Sequence, residues 1–249
     1  MEINKVYCMD NLELMKQMED NSIDLIYCDI LYNTGRKFAD FEDNLGTHEE
    51  AIKWYEPRLV EMKRALEDTG TIYLHCDYRL AHYLKAKMDE VFGLDNFRNE
   101  IIWHYNTSPR RKNDFGSRHD TILRYSKTSD YVFNADQVRI PYALSAPRGY
   151  AKERYYHELG KVMGDVWEIN VIAQNDKTER VGYSTQKPKE LLEIIIKASS
   201  NKGDIVADFF CGSGTTGVAA KELGRNYILC DVNPKAVEIS EMRLAKESK

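Results

Sequence analysis

At 249 residues, 43% hydrophobic and 30% charged, the chain suits one sizeable α/β core with a small insertion and is too short for two full domains. Its five cysteines (Cys8, Cys28, Cys76, Cys211 and Cys230) contain no Cys-x-x-Cys pair, which argues against a disulfide framework or zinc site and for a reduced, cytoplasmic setting. No apolar run approaches the ~18 residues of a membrane span, so a soluble protein is expected, and the net charge of −5 excludes a uniformly basic surface.

Short apolar segments that end near an aspartate recur along the chain. They are Val6 to Cys8 before Asp10, Ile23 to Cys28 before Asp29, Thr71 to Cys76 before Asp77, Ile205 to Ala207 before Asp208, and Tyr227 to Cys230 before Asp231. Their length and lack of polar alternation predict buried parallel strands. Between the second and third, Thr47 and Glu50 form a capping box, and Ile52, Tyr55, Leu59 and Met62 follow at helical spacing, with Pro57 expected to kink or split the helix. From about 110 to 185 the pattern loosens around Pro141, Pro147, Gly149, Gly160 and Gly164 and reads as an insertion outside the core. A helix is predicted from about Pro188 through Leu191, Leu192, Ile195 and Ile196 to a stop near Gly203, and another over Val218 to Leu223. Strands alternating with helices imply an α/β fold with a doubly wound, mostly parallel sheet, in which ligands gather outside the carboxyl ends of the strands. The five aspartates should therefore converge on one cleft, although each alone is an ordinary turn residue.

Charge is unevenly distributed. Residues 98 to 161 hold twelve Lys or Arg against seven acids, a net +5 that leaves −10 elsewhere. Aromatic and amide side chains (Trp103, Tyr105, Asn106, Phe115, Tyr150, Tyr155, Tyr156) are interleaved with Arg98, Arg110, Arg111, Lys112, Arg118, Arg124, Lys127, Arg139, Arg148, Lys152, Arg154 and Lys161, a mix suited to phosphates and unstacked bases or to a solvated face. The six histidines, His48, His75, His82, His104, His119 and His157, have no ligand spacing, so no metal is expected. Cys28 and Cys76 read as small buried hydrophobes, not nucleophiles.

The run Asp208 to Gly217 reads Asp-Phe-Phe-Cys-Gly-Ser-Gly-Thr-Thr-Gly between a strand and a helix, so Gly212, Gly214 and Gly217 fit Gly-x-Gly-x-x-Gly in its required context. Asp231, about twenty residues on, ends the next strand, where a carboxylate can accept ribose hydroxyls. Both NAD and S-adenosylmethionine use this arrangement. Only eighteen residues follow Asp231, so the remaining strands must come from earlier in the chain and the motif order is permuted.

With this permuted order, the sequence resembles the β-class DNA amino-methyltransferases (adenine-N6 or cytosine-N4) of bacterial restriction-modification systems over nearly its whole length. The match is carried by Asp208 to Thr216, by Gln186-Lys187-Pro188, by Gly164-Asp165-Val166-Trp167 with Glu179-Arg180-Val181-Gly182-Tyr183, and by Phe115 through His119-Asp120-Thr121-Ile122-Leu123 to Tyr125-Ser126-Lys127. That family carries Asp-Pro-Pro-Tyr-Asn at the catalytic loop; this chain has Asp29-Ile30-Leu31-Tyr32-Asn33, without the prolines.

The resemblance implies a Rossmann-like fold binding S-adenosyl-L-methionine through Asp10, Thr185, Lys187, Asp208, Phe210, Gly212, Ser213, Gly214, Thr215, Asp231 and Asn233. It makes Asp29, Ile30 and Tyr32 catalytic, the Asp29 carboxylate and Ile30 carbonyl accepting the two hydrogens of the target amine while Tyr32 stacks on the flipped base. An Asp at the first tetrapeptide position favours adenine over cytosine. Residues 134–184 become a target-recognition insertion within a single 1–249 domain, and DNA, a second copy of the chain and a cognate restriction endonuclease become candidate partners. Arg36 and Lys37 are candidates to hold phosphates flanking the base. Losing the prolines should soften the loop and lower activity. A cytosine-N4 enzyme, a DNA-binding paralogue that lost its chemistry and a nicotinamide oxidoreductase stand as rival readings.

Overall fold

The computed structural model describes residues 1–38, 41–106, 112–142 and 157–246; Arg110, Arg111, Arg148, Lys152, Arg154, Tyr150, Tyr155 and Tyr156 lie outside them. In chain order the first elements are β1 (Lys5–Cys8), α1 (Asn11–Met15), β2 (Ile23–Asp29), β3 (Arg36–Lys37), β4 (Glu42–Asp43), α2 (His48–Ala65), β5 (Leu66–Cys76) and α3 (Ala81–Phe92). Then come β6 (Phe97–His104), β7 (His119–Ser126), β8 (Arg139–Ile140), β9 (Lys161–Val162) and β10 (Val166–Glu168). The chain closes with α4 (Lys189–Ser199), β11 (Ile205–Asp208), α5 (Thr215–Glu222), β12 (Asn226–Asp231) and α6 (Pro234–Ala245).

Eight strands form one sheet in the order β1-β12-β11-β2-β5-β7-β6-β10. The five strands read from the sequence are its parallel half, and β7 runs antiparallel to both β5 and β6. Successive side chains alternate between faces. On β2, Ile26 and Cys28 join Leu14, Tyr55, Leu59 and Leu84 of α1, α2 and α3, whereas Leu25 and Tyr27 join Leu191, Ile195, Ala219 and Val237 of α4, α5 and α6. Both faces are covered, which is why these strands read as unbroken apolar runs.

Chain order places the cleft. From β2 the chain passes through α2 to β5, on one side; from β11 it passes through α5 to β12, on the other. The two neighbours β11 and β2 thus feed connections in opposite directions, and their carboxyl ends open the crevice where such sheets bind ligands.

Two expectations are corrected. Pro57 does not split its helix: α2 runs unbroken for 18 residues, opened by the Thr47–Glu50 capping box. Ala51, Tyr55, Leu59, Met62 and Ala65 keep one buried face across the proline, and that packing outweighs the roughly 3 kcal/mol a helix-interior proline costs. The region from 110 to 185 is also not all outside the core, since β7 sits between β5 and β6 and is buried from Asp120 to Ser126. Its charges disguised it. Asp120 is met by Tyr105, and Arg124 by Asn99 and the rings of Tyr131 and Phe133.

Candidate active site

The carboxyl ends of β1, β2, β5, β11 and β12 line a cleft of 640 Å³, and Asp10, Asp29, Asp77, Asp208 and Asp231 all reach its wall. A cleft of this size suits a nucleoside-sized ligand with room for a reacting group. Each aspartate has a different local task, set by what lies beside it.

At the glycine loop, Asp208 is spent internally. Its Oδ2 accepts from the Thr216 hydroxyl at 2.5 Å and its Oδ1 from the Phe210 N–H at 3.0 Å, which folds the turn between β11 and α5. Burial raises its pKa to about 7, against the lowering effect of those two bonds. Asp231 Oδ2 accepts from the Gly212 N–H at 2.9 Å, and its Oδ1 from the Asn233 N–H at 2.9 Å. Carboxylate oxygens carry further lone pairs, so Asp231 can still take ribose hydroxyls. Burial raises its pKa as well.

Gly212 (φ 48°) and Gly214 (φ 74°) occupy the left-handed region, and a Cβ on Gly212 would press to 3.0 Å from the Tyr183 ring. Ser213 and Thr215 turn their oxygens to the Arg243 guanidinium, at 3.2 and 2.9 Å. Asp10 caps α1 through the Leu12 and Glu13 N–H groups and pairs with Arg58 at 2.8 Å. Arg58 also binds Asn11 Oδ1 and lies 3.4 Å from the Trp54 ring centroid, and Asn11 reaches the Phe209 carbonyl. Phe210, Thr185, Lys187 and Asn233 complete the wall, so of the cofactor residues read from sequence only Gly214 stands behind the surface, as the N-cap of α5.

A glycine turn without side chains, an acid on the adjoining strand end and an aromatic at Phe210 fit an adenosyl group. An α-amino acid extension of that group needs a cationic or polar wall, and Lys187 and Thr185 stand on the same cleft wall where they would supply it.

Asp29, the last residue of β2, is 18% exposed at its side chain. Lys187 ion-pairs with its Oδ2, and the Tyr32 hydroxyl donates to Oδ1 at 2.7 Å. Without prolines, the tetrapeptide is pinned by its surroundings. The Ile30 N–H donates to the His75 carbonyl at 3.2 Å, a bond no proline could make, and the Tyr55 hydroxyl donates to the Leu31 carbonyl at 2.8 Å. Buried Asp43 accepts from the Asn33 N–H, the Thr34 N–H and the Thr34 hydroxyl at 2.6 to 3.0 Å. Nothing in the sequence marks Asp43 or Arg58, and Tyr55 and Tyr183 stand there only in a helix pattern and a family-like run, without a role at the site. His75 carried one usable signal, an ionisable residue inside an otherwise apolar buried strand.

Asp208 yields a prediction. Its folded-state pKa is near 7 and the unfolded value is about 4, so the folded state binds more protons between them. The group's contribution to stability therefore falls as pH rises from about 4 to about 7. In urea unfolding, Asp208→Asn should remove up to about 1.4 kcal/mol per pH unit of that decline relative to the unsubstituted chain. Parallel pH profiles would show that Asp208 ionises normally.

These features define a nucleotide-cofactor-binding protein of the doubly wound α/β class. The family model described as DNA methylase (N6_N4_Mtase) matches residues 23–242. The DNA adenine methyltransferase YhdJ of Escherichia coli (strain K12) is 32% identical over 94% of this chain and 80% of its own length. Among solved structures, PvuII DNA methyltransferase (cytosine-N4-specific) superimposes with a TM-score of 0.73 at 19% identity, covering 100% of this chain and 92% of that one. The M1.HpyAVI complex with S-adenosylmethionine gives 0.63 at 20% identity, covering 97% and 99%. The chain belongs to the N6/N4 DNA methylase family, the β-class amino-methyltransferases of restriction-modification systems. It is a DNA methyltransferase acting on an exocyclic amine, with S-adenosyl-L-methionine as methyl donor. Among the described residues no helix is long and apolar enough to cross a membrane.

Proposed function

We propose that this protein methylates N6 of adenine at a specific DNA sequence, with Asp29, Ile30 and Tyr32 as its catalytic groups. The observation that carries the reading is the Asp29 carboxylate at the end of β2, in the same cleft as the glycine loop. An aromatic amine is a poor nucleophile because its lone pair is delocalised into the ring. Two acceptors, Asp29 and the Ile30 carbonyl, pull its two hydrogens out of the ring plane and free the lone pair. Bound S-adenosylmethionine supplies an electrophilic methyl carbon. The rest falls to the chain, which holds the base against Tyr32 and aligns the nitrogen.

In this reading Asp231 takes the ribose, Phe210, Gly212, Ser213 and Thr215 surround the adenosine with Gly214 shaping the turn from behind, and Asp10, Thr185, Lys187 and Asn233 line the remaining wall, with Asp208 holding the turn. Residues 134–184 read the DNA sequence, Arg36 and Lys37 hold phosphates beside the flipped base, and a second copy and a cognate endonuclease are the protein partners.

Transfer of labelled methyl to unmethylated genomic DNA, followed by nucleoside mass spectrometry, tests it. N6-methyladenine is expected. N4-methylcytosine would move the assignment to the cytosine enzymes, and binding of DNA and cofactor without product would mark a protein that has lost its chemistry.

A further inference from the structure

Behind the tetrapeptide lies a buried cluster that the chemistry above leaves without a task. His75 on β5 is fully buried; its Nδ1 is 2.8 Å from the Tyr27 hydroxyl, and its Nε2 faces Asp120 Oδ2 at 3.4 Å. Asp120, near the start of β7, accepts from the Tyr105 hydroxyl on Oδ1 at 3.0 Å. The Tyr32 hydroxyl stands between two carboxylates, 2.7 Å from Asp29 Oδ1 and 3.4 Å from Asp120 Oδ2.

One hydroxyl carries one proton, and the shorter contact shows it donated to Asp29 Oδ1. Lys187 takes the other Asp29 oxygen, so both oxygens are engaged before any substrate arrives. Each oxygen keeps a further lone pair, but an amine hydrogen that shares Oδ1 with the Tyr32 hydroxyl makes a weaker bond, and a part-buried hydroxyl gives up its acceptor most readily when another is within reach. Asp120 Oδ2, 3.4 Å from the Tyr32 hydroxyl oxygen, is that acceptor.

We propose that Asp120 is a positioning residue: it takes over the Tyr32 hydroxyl as the target amine comes onto Asp29, and so clears the Asp29 Oδ1 lone pair for the reaction. This rests on Asp29 being the acceptor of the amine hydrogens. Tyr32 keeps its proton throughout, in keeping with the burial that holds its pKa well above the usual phenol value. Asp120 stays ionised. Burial pushes its carboxyl up, but His75, Lys187 and Tyr105 outweigh that and leave it below the ordinary carboxylate value.

The test is a double-mutant cycle read as the single-turnover rate of methyl transfer to unmethylated genomic DNA. With Tyr32 present, Asp120→Ala should slow transfer about 30-fold with little change in the KM for cofactor, and Asp120→Asn, which retains an acceptor oxygen, should lose only about fivefold. In the Tyr32→Phe background no hydroxyl needs rehousing, so Asp120→Ala should cost less than about threefold. Equal losses in both backgrounds, or no loss with Tyr32 present, would overturn the proposal. Should Asp120→Ala fail to fold, judged by lost cofactor binding, the same cycle is read with Asp120→Asn, whose fivefold loss should vanish with Tyr32→Phe. If the unsubstituted protein transfers nothing at all, the proposed function fails first and takes this inference with it; an active protein with an additive cycle sinks the inference alone.

Discussion

Asp29→Ala is expected to slow methyl transfer at least about 1000-fold while shifting the cofactor dissociation constant by no more than about threefold, because the loss falls on an interaction made to the reacting amine in the transition state. Asp29 is partly exposed at a strand end, so truncating it leaves no cavity in either core face. Its two resident donors have other recourse, Lys187 toward the open cleft and the Tyr32 hydroxyl toward Asp120. The fold should therefore survive the change. Asp29→Asn retains one acceptor oxygen without the charge and should fall between, at about 10- to 100-fold. Labelled-methyl assays paired with calorimetric cofactor titration separate the two effects. Wild-type turnover in Asp29→Ala would remove this residue from the chemistry, and a parallel collapse of cofactor binding would assign it to the cofactor side.

The second large effect lies in the glycine turn. Gly214 has φ of 74°, and a Cβ there would stand 2.6 Å from Ser240 Oγ, 2.7 Å from its Cβ and 3.1 Å from its Cα. Ser240 is fully buried on α6, so nothing flexible can yield; the helix or the turn must move. Gly214→Ala should combine left-handed strain with this overlap, for a destabilisation of about 3 kcal/mol and a fall in melting temperature of roughly 6 to 12 °C. Displacing the turn also draws Gly212 and Ser213 from the cofactor wall, for an expected 30-fold or greater loss of affinity, about 2 kcal/mol. Gly35→Ala is the matched control, with φ of 68° and nothing within 4 Å of the added carbon. It should cost only the backbone strain, about 1 kcal/mol. Equal losses at the two sites would mean that the contact with Ser240 does not matter.

The missing prolines carry a related lesson. Sequence alone predicts a softer catalytic loop, since isoleucine and leucine leave φ free where proline fixes it. In the folded chain three separate elements hold the loop: the end of β5 through the His75 carbonyl, α2 through Tyr55 and β4 through Asp43. Proline stiffens through local covalent geometry. This loop is stiffened through contacts from residues up to 45 positions away in the chain.

The amino-acid order by itself determined the features that local chemistry sets. The five apolar strands, the aspartates at their ends, the capping box at Thr47 and the glycine turn between β11 and α5 were all legible because each depends on a few neighbouring residues. The helix through Pro57 and the core position of β7 were not, because burial of a whole face overrode a local rule in the first case and distant polar and aromatic partners accommodated the strand's charged side chains in the second. Beyond the local contact from Tyr32, the arrangement around Asp29 is tertiary: Lys187 reaches it from 158 residues away, and Asp120 meets Tyr32 from 88. Only a sheet that brings late β11 beside early β2 puts those side chains at one crevice, and no pattern within a single segment encodes that adjacency.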